Sequence, residues 1–235
     1  MQENSCSCAE INVIMRKENS TMKILITGFE PFDNEPINPG WEAVKLLPDE
    51  IDGHEVVKKM LPCVFVKAGD VLDSYIEEVQ PDFVYCIGQA GGNANLQVEK
   101  VGINYMDGRI ADNEGYQPID EIIKEDGENA YFSNLPVKAI VAAIREAGIP
   151  ASVSYTAGTY VCNYTLYMTM YLIAKRYPHI KGGFMHIPYA TEQGIDKGPE
   201  TPTMAIPTIA RGIEAAARCI LQNGEELRVN EGATH

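Results

Sequence analysis

Short apolar runs alternate with longer segments of helical periodicity along this chain. The runs at 23–27 and 83–87 are each followed by a glycine and are typical of strands buried on both faces of a sheet. A further strand is predicted at 55–61, and the apolar positions of residues 66–79 repeat at the spacing of one helix face. Strand, helix and strand at this spacing indicate an α/β domain.

The same alternation predicts the remaining elements. Helices are expected at 41–47, 136–147, 162–177 and from about 207 onward, and strands at 96–103, 151–156 and 182–189. Together they predict a single α/β domain, with a central mixed and mostly parallel sheet flanked by helices on both faces, as in phosphorylase-like and hydrolase-like proteins. In such sheets ligands collect beyond the carboxyl ends of the strands, which points to the loops after Thr27, Ile87 and Thr156.

Both ends of the chain depart from this pattern. Residues 1–21 are mostly polar and lack a sustained period, so we expect a disordered extension before the folded domain at 22–222. Residues 223–235 are expected to form a frayed tail. A long excursion at 104–127 carries several turn signals, and excursions of this length inside a compact domain tend to be functional.

Composition and charge narrow the classes of function. The 19 basic and 33 acidic residues give a net charge of −14, which repels nucleic acid and anionic membrane surfaces. The apolar runs are far shorter than the roughly 20 residues of a membrane helix, and the polar start of the chain does not resemble a signal peptide. With 45% of its 235 residues apolar, the chain can bury a sizeable core, and we expect a cytoplasmic protein.

The cysteines point to one candidate nucleophile. Six cysteines are scattered along the chain, unlike the dense framework of small disulfide-bonded domains, and the pair Cys6 and Cys8 has no second pair or nearby histidine to complete a metal site. Cys162 follows a glycine-containing turn at the start of a predicted helix. The positive helix end favours a thiolate there, although an arbitrary cysteine is more often buried and inert.

His186 and Glu99 add the two other roles of a thiol hydrolase. A histidine in an apolar strand is more often a core residue, and a glutamate in a strand is more often solvated. Taken with Cys162, however, they provide a nucleophile, a general base and a carboxylate that orients the base. Such triads are assembled in space, so their spacing in the sequence leaves open whether the three side chains meet.

Six separated segments resemble those of the pyroglutamyl peptidase I family, also called pyrrolidone-carboxylate peptidases. They are TGFEPF at 27–32, GQAGG at 88–92, EKVGIN at 99–104, RIADN at 109–113, SYTAGTYVCN at 154–163 and HIPY at 186–189. The resemblance runs in order from Met22 to about Ile220. It implies a cysteine aminopeptidase that removes an N-terminal pyroglutamyl residue from peptides.

The resemblance also implies roles for individual residues. By position, Cys162 corresponds to the nucleophile, His186 to the general base and Glu99 to the orienting carboxylate. Arg109 and the backbone N–H of Cys162 correspond to the donors that stabilise the oxyanion. The residues that correspond to the pocket for the lactam ring are Phe29, Phe32, Ile110, Tyr160 and Val161, with Gln89 as the polar contact.

The same resemblance implies an enzyme that needs no metal or organic cofactor. Its partners would be peptides that begin with pyroglutamate, and it would be a homo-oligomer, commonly a tetramer. Three residues depart from the family pattern: Tyr160 stands where phenylalanine is common, Asn93 where an arginine often follows the paired glycines, and Cys63 where a threonine often lines the pocket.

Three other functions stay open at this point. A nucleoside-phosphorylase-like enzyme on the same scaffold would need a cationic phosphate site, and the loops at the strand ends contribute little positive charge beyond Arg109. A non-catalytic binding protein could keep the pocket without turnover. A metal hydrolase is the weakest of the three, since the four histidines show no ligand spacing.

Overall fold

A computed structural model describes residues 21–232 of the chain. Its strands are β1 (Lys23–Phe29), β2 (Glu50–Ile51), β3 (His54–Leu61), β4 (Phe83–Gln89), β5 (Leu96–Glu99), β6 (Val101–Ile103), β7 (Ala130–Phe132), β8 (Ala151–Ser154), β9 (Lys181–Ile187), β10 (Tyr189–Ala190) and β11 (Thr203–Met204). Its helices are α1 (Pro39–Lys45), α2 (Lys67–Val79), α3 (Val137–Glu146), α4 (Val161–Lys175) and α5 (Ile206–Leu221), with a short 3-10 helix at Glu192–Asp196. The predicted disordered extension lies outside the described residues except for Thr21.

Seven strands form the central sheet in the order β2-β3-β1-β4-β9-β5-β8. Parallel pairs join β3 to β1, β1 to β4, β4 to β9 and β5 to β8. The pairs β2–β3 and β5–β9 are antiparallel. The sheet is therefore mixed and mostly parallel, and the predicted fold class is confirmed.

Two hydrophobic cores lie on the two faces of this sheet. On one face, Ile24 and Ile26 of β1 pack in a cluster with buried residues of α1, α3 and α5. On the other face, Leu25 packs in a cluster with buried residues of α2 and α4. Successive residues of β1 thus reach opposite cores, which is why its sequence is a continuous apolar run.

The helix boundaries follow from local chemistry. Helix α1 begins two residues before the predicted Trp41, because the Asn38 side chain accepts a hydrogen bond from Gly40 N and Pro39 occupies the first turn. Helix α5 buries one face along its length, formed by Ile209, Ile213, Ala216, Ala217 and Ile220. That face is the one expected from the sequence.

The predicted strand at 96–103 is in fact two strands. The chain leaves the central sheet at Lys100, and β6 pairs with β7 in a separate ribbon. Asn163 in the first turn of α4 accepts a hydrogen bond from Ile103 N at 2.9 Å and donates to Ile103 O at 3.0 Å. At Gly102 a Cβ would lie 2.9 Å from Tyr167 N, so β6 lies directly against α4. This tertiary contact ends the strand, and sequence periodicity cannot report it.

The direction of β8 also differs from the expectation that the carboxyl ends of the strands share one edge. Because β5 is antiparallel to β9 and parallel to β8, β8 runs opposite to β4. It stops at Ser154, which pairs with Glu99, and Glu99 in turn pairs with Phe184. The loop after β8 therefore starts level with the middle of β9.

The described part of the tail, residues 223–232, contains no helix or strand. It contacts α3 through polar groups: Glu226 accepts a hydrogen bond from Lys138 N at 2.8 Å, and Glu231 pairs with Arg145 at 2.6 Å. Among the helices of residues 21–232, none is both long and apolar enough to cross a membrane.

Candidate active site

A buried histidine and carboxylate form a pair in the middle of the sheet. His186 on β9 is 6% exposed, and Glu99 on β5 is fully buried. Their side chains meet at 2.7 Å between His186 Nδ1 and Glu99 Oε1. This contact leaves Nε2 as the ring nitrogen that can exchange a proton with a ligand or a nucleophile. The strand positions that the sequence left unconnected are thus brought together by the β5–β9 pairing.

Cys162 is the second residue of α4, and its sulfur lies against the neighbouring strand β4. The register of β4 and β9 places Gly88 opposite His186. A Cβ on Gly88 would lie 2.8 Å from Cys162 Sγ and 2.6 Å from Phe184 Cζ. The missing side chain at Gly88 therefore makes the space in which the thiol lies beside the histidine strand. Among the described residues, no hydrogen bond yet joins Cys162 Sγ to His186.

The surroundings of Cys162 disfavour the ionised form of its thiol. Burial raises the pKa of Cys162 well above its ordinary value, and the nearby Cys63 and Glu99 raise it further. A helix end contributes only about 0.3–1 kcal/mol in favour of the thiolate, less than the cost of burying a charge. The helix start at Cys162 favours the thiolate and burial opposes it, so the site needs a base that takes the proton when the sulfur reacts.

Cys162 and His186 line one cavity of about 390 Å³, a size that fits a small organic group. Of the residues expected at the pocket, Phe29, Phe32, Gln89, Ile110 and Tyr160 contribute to its lining, as do Cys63 and Asn93. Val161, which was expected at the pocket, is instead fully buried in the hydrophobic core and does not line the cavity. Other lining residues that the sequence analysis did not single out as site residues include Asp33, Glu35, Asn38, Gln97 and Asp107.

Arg109 lines the same cavity on the excursion between β6 and β7 and is exposed. Within residues 21–232 its guanidinium forms no ion pair, so its donors are available to a ligand. The backbone N–H of Cys162 belongs to the first turn of α4, where a helix provides no acceptor of its own. Both groups implied as oxyanion donors thus keep free hydrogen-bonding capacity among the described residues.

An aromatic wall closes one side of the cavity. The Tyr160 ring packs edge-on against Phe65, with centroids 5.3 Å apart, and lies 6.3 Å from Phe32. The hydroxyl that distinguishes Tyr160 from phenylalanine donates to Ala111 O at 3.0 Å, so the wall accommodates it without an unpaired group. Burial raises the pKa of the adjacent Cys63 to about 12, which keeps this second thiol neutral.

A polar wall lies on another side, with Gln89 and Glu35 at the cavity surface and Gln193 and Lys197 bonded behind them. Gln193 Nε2 donates to Glu35 Oε2 at 3.0 Å and to Gln89 Oε1 at 3.2 Å. Lys197 Nζ bonds to Glu35 Oε1 at 2.6 Å. Gln193, Glu35 and Lys197 could not be predicted from the sequence, because the composition of their segments gives no signal of their partners.

Within residues 21–232, no three histidine, cysteine or acidic side chains form a group that could hold a metal ion.

The chain matches a known family over most of its length. The family model described as "Pyroglutamyl peptidase" matches residues 22–223. A pyrrolidone-carboxylate peptidase of Staphylococcus saprophyticus is 54% identical over 214 residues, which cover 91% of this chain and 100% of the relative. One from Streptococcus pyogenes is 55% identical over 216 residues, with coverage of 91% and 100%.

Solved structures give the same result. Pyroglutamyl peptidase I from Bacillus amyloliquefaciens matches with a TM-score of 0.87 and 42% identity, covering 90% of this chain and 100% of that one. Pyrrolidone carboxyl peptidase from Thermococcus litoralis matches with a TM-score of 0.85 and 37% identity, covering 89% and 100%.

Proposed function

The chain belongs to the pyroglutamyl peptidase family, whose members are cysteine peptidases that act on pyroglutamyl peptides. From that premise we propose that Cys162, His186 and Glu99 carry out its reaction. The observation that supports this most is the convergence of the three residues. His186 bonds to the buried Glu99, and Gly88, opposite His186 in the sheet, contacts the sulfur of Cys162.

In the first step, His186 Nε2 takes the thiol proton as Cys162 Sγ attacks the pyroglutamyl carbonyl carbon. Because its pKa is raised, this partly buried thiol needs such a base to react as a thiolate. Glu99 accepts from Nδ1–H, fixes the tautomer and stabilises the imidazolium that forms. The backbone N–H of Cys162 and the Arg109 guanidinium stabilise the negative oxygen of the tetrahedral intermediate.

In the second step, the imidazolium gives its proton to the leaving amine as the carbon–nitrogen bond breaks. This leaves a thioester between Cys162 and the pyroglutamyl group. Water then attacks the thioester while His186 takes its proton, the carbon–sulfur bond breaks, and the thiol is regenerated with pyroglutamate as the product. The cycle consumes only peptide and water.

The cavity suits the uncharged lactam ring. Phe29, Phe32 and Tyr160 provide apolar surface, and Gln89 provides a neutral polar group. A pyroglutamyl terminus carries no charge, so its ring can pack on these aromatic side chains and bond to Gln89 without an ion to desolvate. We further propose that the protein is a cytoplasmic homo-oligomer. Light scattering of the purified protein measures its mass and so tests the oligomer. A monomer mass at micromolar concentration would contradict it.

A fluorogenic assay tests the proposal directly. The substrate is a pyroglutamyl amide with a fluorescent leaving amine, run beside the matching prolyl and glutamyl amides. Cys162→Ala should lower turnover of the pyroglutamyl amide by at least about 10³-fold, because the variant enzyme has no nucleophile. Cys219→Ala, a truncation of a partly buried cysteine away from the cavity, should keep the activity near that of the parent.

Two results would contradict this assignment. One is near-normal turnover by the Cys162→Ala protein. The other is equal release from the prolyl or glutamyl amide, which would mean that the cavity does not select the lactam ring. Folding of each variant is checked by thermal unfolding, so that lost activity is not mistaken for lost structure.

A further inference from the structure

Gln193 is buried in the polar wall although it comes from a short 3-10 helix outside the central sheet. It is 7% exposed, and both ends of its side-chain amide are hydrogen-bonded. Its Oε1 accepts from the backbone Ala190 N at 2.9 Å, while its Nε2 bonds to Glu35 and Gln89. A buried amide with this many partners has one orientation that satisfies them all.

Two of these partners fix which end of the Gln193 amide is the oxygen. Ala190 N–H can only donate, so the atom that faces it must be an acceptor. Glu35 can only accept when ionised. Although burial works to raise it, hydrogen bonds from Lys197 and Gln193 hold the pKa of the Glu35 carboxyl below its ordinary value. The amide of Gln193 therefore presents oxygen to Ala190 and nitrogen to Glu35.

The orientation of the Gln193 amide in turn fixes that of the Gln89 amide, which lines the cavity. Since Gln193 Nε2 is a donor, the Gln89 atom 3.2 Å away must be its oxygen. Rotating the Gln89 amide by half a turn would set two NH₂ groups against each other. Among the described residues, Gln89 Nε2 has no hydrogen-bond partner, so its two hydrogens stay available to a ligand.

We propose that Gln193 is a positioning residue that locks the Gln89 amide with its N–H donors free for the ring carbonyl oxygen of the substrate. The proposal rests on the proposed function, because it assumes that the lactam ring occupies this cavity. It assigns the recognition to the acceptor of the ring, and a five-membered ring without that carbonyl would leave the Gln89 donors unpaired.

Lys197 holds the Glu35 carboxylate that orients Gln193. Lys197 Nζ bonds to the Glu35 carboxylate and lies 4.3 Å from the centroid of the Tyr189 ring. Tyr189 in turn packs against Gly91, where a Cβ would lie only 2.1 Å from its ring. The charge that orients Gln193 is thus itself held between the loop at 30–38 and the segment that follows β9.

The test replaces the hydrogen-bond donor of Gln193 by an acceptor, in a side chain of nearly the same shape. Gln193→Glu keeps an oxygen facing Ala190 N–H and replaces Nε2 by a second oxygen, so the Gln89 amide should rotate and offer the ligand its oxygen. KM for the pyroglutamyl amide, and the inhibition constant of 2-pyrrolidone, should each rise on the order of tenfold, the loss of one hydrogen bond plus an unfavourable contact. Because the catalytic groups are untouched, kcat should stay within about twofold.

A double variant separates orientation from charge repulsion. Gln193→Glu alone sets two carboxylates together, whereas Glu35→Gln combined with Gln193→Glu restores one amide and one carboxylate. If the Gln89 orientation matters, the double variant keeps the raised KM. A return to the parent KM in the double variant would overturn the proposal, as would an unchanged KM in the single one.

Gln222→Glu adds the same charge at an exposed position beyond α5 and should leave both constants unchanged. A structural role for Gln193 alone would instead lower kcat and the thermal midpoint together and slow alkylation of Cys162 by iodoacetamide. If the parent protein does not hydrolyse the pyroglutamyl amide, the proposed function is refuted. If the parent hydrolyses it normally and the Gln193→Glu variant is unaffected, only the role of Gln193 is refuted.

Discussion

The catalytic pair and the polar wall are both networks of hydrogen-bonded side chains, but different parts of the fold hold them. His186 and Glu99 stand on adjacent strands of the central sheet, where backbone pairing fixes their separation. Gln89 and Gln193 are 104 residues apart, and Gln193 and Glu35 are 158 apart, with only side-chain bonds joining them. Many hydrogen bonds together hold the register of paired strands, whereas each contact in the polar wall depends on a single side-chain hydrogen bond.

This difference is consistent with the three positions at which the sequence is expected to depart from the family pattern. Tyr160, Asn93 and Cys63 all line the cavity from loops or helix ends, and none belongs to the paired strands that carry His186 and Glu99. A loop position can change its side chain if a local partner is at hand, as Ala111 O is for the Tyr160 hydroxyl. A position on the central strands has packed neighbours on both sides, so substitution there costs more.

The sharpest test of the catalytic side is His186→Ala. Without the base, turnover should fall about 10²–10⁴-fold. The raised pKa of Cys162 should then control alkylation by iodoacetamide, which needs the thiolate: the rate at Cys162 should be low at neutral pH and climb only above the ordinary thiol range. Peptide mapping by mass spectrometry isolates Cys162 from the other cysteines.

His179→Ala, at an exposed histidine, is the matched control and should behave as the parent. Fast alkylation of Cys162 at neutral pH in the His186→Ala protein would mean that the thiolate exists without the base, and the neutral ground state would be wrong.

Glu99→Gln should have the next largest effect, about 10²-fold on turnover. The amide is of the same size, but it removes the charge that stabilises the imidazolium and can present its NH₂ group to Nδ1, which would select the wrong tautomer. Steady-state kinetics measure the loss, with Glu78→Gln at an exposed ion pair as the control. A kcat equal to that of the parent would reduce Glu99 to a packing residue.

Gly88→Ala tests the contact between strand and nucleophile. The added Cβ would lie 2.8 Å from Cys162 Sγ and 2.6 Å from Phe184 Cζ, so one of them must move. We expect a loss of about 1–3 kcal/mol in the free energy of unfolding from overpacking, and turnover lower by roughly tenfold through displacement of the sulfur.

Denaturant unfolding and the fluorogenic assay measure the two effects of Gly88→Ala. Gly198→Ala is the control, because a Cβ there would meet nothing closer than Thr201 Oγ1 at 4.0 Å. Parent-like activity and stability of the Gly88→Ala protein would show that Cys162 does not depend on the space at this strand.

Tyr160→Phe should have the smallest effect. It removes the bond to Ala111 O but keeps the ring against Phe65, so KM should change by less than about threefold and stability by about 0.5–1.5 kcal/mol. A change in kcat of tenfold or more would give the hydroxyl a role in the chemistry and would blur the distinction between a fixed catalytic pair and an adaptable wall.

Much of the fold was predictable because it depends on local pattern. The buried strands at 23–27 and 83–87 lie where the apolar runs predict them, although each extends two residues further, and α2 begins one residue after its predicted start. The errors occur where distant contacts act. Asn163 draws Ile103 away from the sheet, and β8 runs against β4, two facts that depend on residues at least 55 positions apart.

The sequence by itself determined the alternation of strands and helices, the α/β class and, through its motifs, the family to which the chain belongs. These are encoded in neighbouring residues, so each short segment carries its own signal. The tertiary structure decided the rest: that Glu99 is buried against His186, that burial raises the pKa of Cys162, and that Gln193 orients Gln89. Burial and hydrogen-bond partners are properties of space, and only the packed sheet and loops bring these residues within bonding distance.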